Sequence, residues 1–357
     1  ICESSKTKNN QTDNDDLYKI YWEDTKMEFS ATAGTAGGSL KALFEVRDGD
    51  NLENFKGKVT KADSYSLTVE NISIDNIKSL NLPDKDGKIT VNNISYSYDS
   101  WEAQVDAQGN IKSVTFNLSK DKAIADPEKT VAEGYLLNAG SAINARGIPY
   151  YMTQLNEFVR NFSEMFNQIE SKGQNLNGDT PPTFFEAITN TAKVYDFSES
   201  EAYSKLPDGQ TATINSSSNT YYRMTAANFS VNKDVMNDVS LFATSTDYVK
   251  TDSCDIVDEL KKLQSEKTVY RGDKAESFLE TIISNVSVDT EKAETYNKLY
   301  SNLEQTIANQ RTSVSGVDED EEALNLVKFQ YSYNMASKII SVMNQMLDKL
   351  INDTGVA

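Results

Sequence analysis

The stretch DEDEEALNLVKFQYSYNMASKIISVMNQMLDKLIN, residues 318 to 352, decides how the chain is read. Leu324, Val327, Tyr331, Met335, Ile339, Val342, Met346 and Leu350 recur at steps of three or four, which is the spacing of one face of an α-helix. Asn325, Lys328, Asn334, Lys338, Asn344 and Lys349 occupy the other faces. The start is well specified. Gly316 breaks whatever helix precedes it, Asp318 and Glu321 have capping-box spacing, and Glu319, Asp320, Glu321 and Glu322 set negative charge on the positive end of the helix dipole. A helix of about 35 residues is roughly 50 Å long, longer than a small domain is wide. Its apolar stripe is therefore expected to dock another helix or another subunit.

Working back towards the N-terminus, apolar positions step helically at Ile256 to Leu263, at Ala275 to Val286, and at Thr290 to Arg311, where Tyr296, Leu299, Leu303 and Ile307 are in register. Residues 181 to 254 lose that period, contain Pro181-Pro182 and INSSSNTYY, and offer short candidate strands around TYYRM and FSVN. Before them, Tyr151, Leu155, Phe158, Phe162, Met165 and Ile169 form one continuous stripe, opened by Ile148-Pro149 and closed by Lys172-Gly173. From Phe55 to Leu118 the period changes to two, in short runs rich in Val, Ile, Thr and aromatics. Turn signals separate these runs at Asp84-Lys85-Asp86-Gly87 and at Asp106 to Asn110. Gly37-Gly38 precede a short helical stretch with Leu40, Leu43, Phe44 and Val46, and residues 1 to 16 have the polar composition of a frayed lead-in.

The composition removes whole classes of chemistry. Of 357 residues, 35 are Lys or Arg and 54 are Asp or Glu, a net charge of −19, which argues against nucleic-acid binding and against an anionic membrane surface. There is no histidine, so neither a Ser-His-Asp triad nor an HExxH zinc site can exist. Cys2 and Cys254 are too few for a disulfide framework and form no CxxC pair. No apolar run approaches the roughly 20 residues of a membrane span. Asp84, Asp86 and Gly87 hint at a calcium loop, but glycine is fourth where an EF-hand needs it sixth, so a turn is the expectation. Arg271-Gly272-Asp273 spells an adhesion tripeptide and reads instead as a loop end capping the helix at Ala275. No catalytic, cofactor-binding or metal residue is expected.

Residues 309 to 352 resemble the C-terminal signature of the flagellar hook-associated protein 1 (FlgK) family, with Ser315-Gly316-Val317-Asp318, Glu321-Glu322 and Phe329-Gln330 in the family's order. GGSLKALFEVRD at 37 to 48, LNEFVRNFSEMFNQI at 155 to 169 leading to GQNLNGD, and Phe184-Phe185 agree with it. The resemblance does not cover the β-rich segment, where the family varies. Members begin with a long helix that pairs with the C-terminal one; nothing before Leu17 resembles it, so the stripe is expected to be unpaired within this chain.

The expected fold is α+β: an elongated, discontinuous helical rod domain (17–52, 126–180 and 255–312), a small all-β insertion (53–122), a loop-rich mixed segment (181–254) and a long C-terminal amphipathic assembly helix (313–357). The resemblance implies a structural, non-enzymatic subunit of the bacterial flagellum, secreted through the flagellar type III apparatus and polymerised outside the cell between hook and filament. It also implies the partners: further copies in a helical array, the hook protein, the next hook-associated protein, and an export chaperone on the C-terminal helix. A flagellin-like filament protein and a surface adhesin acting through the β insertion are the alternatives.

Overall fold

In the computed structural model the described residues are 2–9, 14–32, 37–120, 123–124, 127, 131, 133–140, 142–189, 192–200, 203–250, 252–266 and 268–354. In chain order the elements are β1 (Cys2–Asn9), β2 (Asn14–Trp22), α1 (Gly38–Asp48), β3 (Phe55–Asp63), β4 (Ser66–Glu70), β5 (Gly87–Val91), β6 (Ile94–Val105), β7 (Ile111–Leu118), β8 (Leu136–Ala139) and α2 (Ile148–Glu170). There follow β9 (Phe185–Ala187), β10 (Ala212–Asn215), β11 (Phe229–Val231), α3 (Lys233–Asn237), α4 (Asp255–Ser265), β12 (Thr268–Tyr270), β13 (Asp273–Lys274), α5 (Ala275–Ser315) and α6 (Glu319–Thr354). The chain divides into two units, residues 1–282 and 283–357.

The alternating runs of the first unit close on themselves. Six antiparallel strands pair in the order β6, β5, β8, β3, β4, β7 and back to β6, and β10 extends the edge of β6 beyond β5 through Ala212 to Asn215 against Val105 to Glu102. Trp101, Tyr98, Phe116, Leu67, Ile89 and Leu137 fill the interior, each essentially fully buried. The polar tips of the two largest are satisfied together: Trp101 Nε1 and Tyr98 Oη both donate to the Pro83 carbonyl, at 3.1 and 3.2 Å. Gly87 is required beside them, because a Cβ there would lie 2.2 Å from the Tyr98 ring.

Several expectations change here. The barrel is not confined to 53–122: β8 completes it between β3 and β5, and β10 joins from the mixed segment. Leu136-Leu137-Asn138-Ala139 is too short to show a period, which is why no strand is legible there. Residues 122 and 126, the expected borders, lie outside the described residues. In the leading segment the backbone of Cys2–Asn9 pairs with Asn14–Trp22, a hairpin where composition predicted fraying. Asp84 to Asp86 end a long connection into β5 rather than a hairpin, whereas Asp106 to Asn110 do turn β6 into β7. FSVN supplies β11, paired with β9, but TYYRM forms a 3-10 turn at Tyr221–Arg223.

Outside the barrel, α2 packs against α1, α4, β9 and β12. Its stripe of Phe158, Phe162 and Met165 is half-buried against a small core of Ile169, Ile256, Leu263, Val269 and Ala275. Its fully buried side is polar: Gln154, Asn156, Glu157, Arg160, Ser163, Glu164, Asn167 and Glu170. Among them Asn156, Arg160 and Asn167 satisfy backbone groups of neighbouring segments. Asn167 donates to the Phe185 carbonyl and accepts from the Phe185 N–H, both at 2.9 Å. Asn156 accepts from Ala226 N–H at 2.9 Å. Arg160 reaches the carbonyls of Met224, Lys78 and Leu80 at 2.9, 2.9 and 2.7 Å.

The two helices expected at Ala275 to Val286 and Thr290 to Arg311 are one, α5, which Ser287-Val288-Asp289 do not interrupt. Its first turn is anchored: the Phe278 ring lies 5.0 Å from Phe158 and 3.9 Å from Tyr270.

Candidate assembly surface

The second unit is built differently from the first. No described residue between 283 and 353 is buried. The entry into α6 follows the sequence: Gly316 N–H donates to Thr312 O, a Cβ at Gly316 would sit 2.2 Å from that same oxygen, and Asp318 Oδ1 accepts from Asp320 N–H at 2.9 Å and Glu321 N–H at 3.4 Å. Gly316 is thus the residue at which a side chain would be expelled, and Asp318 is the cap that reopens the helix.

All eight residues of the expected stripe, Leu324, Val327, Tyr331, Met335, Ile339, Val342, Met346 and Leu350, lie on α6 and are 48 to 69 % exposed. They share one side of the helix, as their spacing requires. α6 also carries a second apolar row, outside the expected stripe. Leu326, Phe329, Tyr333, Ile340, Met343, Leu347 and Ile351 are 50 to 74 % exposed and also recur at steps of three, four or seven. Each residue turns the helix by about 100°. The second row therefore faces away from the first at Leu326 to Tyr333, where it runs two residues behind, and lies beside it from Ile340 onward, where it runs one behind.

The surface is electrostatically distinct too. Between Ala323 and Leu347 there are two lysines, Lys328 and Lys338, and no acid, in a chain whose net charge is −19. On α5, Ile283, Val286, Tyr296, Leu299, Leu303 and Ile307 form a further exposed apolar row. Long helices gain most of their stability from burying such rows, and the described residues of this unit bury none.

Elsewhere the chemistry is that of a folded body. Among the described residues there is no group of three His, Cys, Asp or Glu placed to hold a metal ion, and no helix is long and apolar enough to cross a membrane. The Arg271 guanidinium, first of the adhesion-like tripeptide, is tied to Glu157 at 3.2 Å and to Glu53 at 3.6 Å, and Asp273 lies in β13 rather than in a capping position.

One of the two matches to known proteins falls on this surface and the other runs along most of the chain. Residues 308–353 match the family described as flagellar basal body rod FlgEFG protein C-terminal. Over 341 residues, covering 93 % of this chain and 56 % of the relative, the chain is 21 % identical to flagellar hook-associated protein 1 of Bacillus subtilis (strain 168). The chain thus spans a little over half the length of that curated relative. No solved structure matches it. Both matches agree with the resemblance read from residues 309 to 352.

Proposed function

We propose that this chain is a structural subunit of the bacterial flagellum that polymerises at the junction of hook and filament. The observation that carries the reading is α6: a 36-residue helix with its apolar rows exposed and no core of its own, in the segment that matches a flagellar rod family. Such a surface finds its partner in further copies of the chain, and because contacts between unlike faces propagate, the product is a helical array rather than a closed pair. The work is done by packing, with no catalytic step.

Within that reading, the barrel takes in the strands from Phe55 to Ala139 together with β10, and α6 is the assembly helix. The hook protein and the next hook-associated protein are the neighbours at either end. Before export through the flagellar type III apparatus, a chaperone would cover the stripe of Leu324 to Leu350. A flagellin-like role and an adhesin acting through the barrel have no comparable support in either match. Deletion of the gene tests the reading directly: cells should make hooks that end bare, and an antibody against the chain should decorate the hook tip in the wild type. Normal filaments in the deletion strain would overturn it.

A further inference from the structure

A carboxylate lies at the end of α2 with no charge to balance it. Glu170, the last residue of that helix, is 1 % exposed. Its Oε1 accepts from Ala243 N–H at 3.4 Å, and its Oε2 is buried with no hydrogen-bond partner. The helix terminus adds its own negative partial charge. The segment it touches, residues 240 to 246, is strapped over the end of α2 by four further ties. Gln174 N–H donates to Ser245 O at 2.9 Å, Leu176 N–H donates to Ser240 O at 3.1 Å, the Phe242 ring lies 5.6 Å from Phe184, and Asp255 accepts from Thr246 N–H and Oγ1–H at 3.1 and 2.7 Å. The fit is close: a Cβ on Gly173 would meet that of Ala243 at 2.6 Å. Beside the strap, Leu176, Met236 and Val239 are exposed apolar residues.

We propose that Glu170 is a protonation-dependent latch, which seats the 240–246 strap on the end of α2 when its carboxyl is neutral and loosens it when the carboxyl ionises. Burial pushes the Glu170 pKa up to about 7, against a small opposing effect of the Ala243 N–H. The charged groups on the surrounding elements are Lys172 after α2, Asp238 and Asp247 flanking the strap, and Asp255, Asp258, Glu259 and Lys262 on α4, and burial is the leading cause of the shift. Asp255 is the fixed anchor. Its hydrogen bonds from the Thr246 and Ser245 side chains hold its pKa far below the carboxylate range, so it stays ionised while Glu170 titrates.

In the open strap Glu170 is solvated and returns to its ordinary value of 4.5, so ionisation favours opening as the pH rises between the two values and adds nothing above the higher one. Linkage between them gives an opening constant that grows about thirtyfold between about pH 5.5 and about pH 8.5. Hydrogen exchange on the full chain reads this as a matching loss of protection at the Ala243 amide, after correction for intrinsic exchange. The Glu170→Gln variant keeps an acceptor for that amide and should show protection independent of pH, while Asp255→Asn should lower protection of Thr246 equally at every pH. A wild-type change below about threefold over that pH range would overturn the latch, and so would the same trend in Glu170→Gln.

Discussion

The Arg160 guanidinium stacks over the Tyr222 ring, its central carbon 4.5 Å from the ring centroid, and the Tyr222 hydroxyl in turn accepts from Leu82 N–H at 3.0 Å. One helix side chain thereby ties the connection into β5 and the 220s segment to α2, through a cation–π contact and three carbonyls.

Replacing Arg160 by Met keeps the aliphatic stem and strands the carbonyls of Lys78, Leu80 and Met224. Each buried acceptor left unpaired costs about 1–3 kcal/mol, so the variant should lose roughly 3–5 kcal/mol. Urea titration followed by tryptophan fluorescence checks this, and a loss below about 1 kcal/mol would mean that the fork is not the organiser.

Gly87→Ala should cost about 1–3 kcal/mol by overpacking, since the added methyl meets the Tyr98 ring inside the barrel. Shortening the obstacle, as Tyr98→Leu in the same chain, should recover part of that loss. A double-mutant cycle of thermal melts measures the recovery, and strict additivity of the two losses would refute the collision.

The Asp106 carboxylate holds the β6–β7 turn through Gln108 N–H and Asn110 N–H at 3.0 and 2.9 Å and pairs with Lys112 at 2.9 Å. Partial burial raises its pKa, but the Lys112 ammonium and the turn N–H groups outweigh that and hold it at about 2. A value below the unfolded one means stability that is present above about pH 4 and lost as the pH falls through 2. The turn is near the surface, so the expected penalty of Asp106→Asn is only about 1 kcal/mol at pH 6. It should vanish near pH 2, and a penalty that persists there would show that the charge is not its source.

For α6, Ile339→Asp with Met346→Asp should abolish filament assembly while the melting temperature stays unchanged, because the charges enter a surface that is wet in the monomer and dry in the array, costing several kcal/mol on association. Phe329→Asp with Ile340→Asp tests the second row by the same paired measurement. Assembly at the wild-type level would show that row to be idle, and a large fall in melting temperature would place it inside the folded monomer.

What the sequence disclosed follows from which signals are local. The ends of α2 and α6 and the alternation of β6 were legible because caps, breakers and side-chain period act within a few residues. β8 was not, since four residues carry no period and their place between β3 and β5 is fixed by pairing alone. The buried polar side of α2 is not legible for a related reason: the segments whose carbonyls Arg160 and Asn167 satisfy lie elsewhere in the chain. On α6 the spacing of the first row alone places Leu324 to Leu350 on one exposed side of the helix. The second row, with Leu326, Phe329, Tyr333, Ile340, Met343 and Leu347 at the same spacing, could have been found by counting two frames along the helix instead of one.

Closure of the six strands has a consequence for the proposed array of copies. An open sheet would present a row of unpaired N–H and C=O groups to its neighbour and template irreversible strand exchange, the route to amyloid-like aggregation. In the barrel, β6 and β7 pair with each other from Tyr98 to Val105, so the ring itself has no free edge, and the outer side of the short β10 is the edge that remains beside it. In the array proposed above, the six ring strands would therefore add no strand pairing between neighbouring copies.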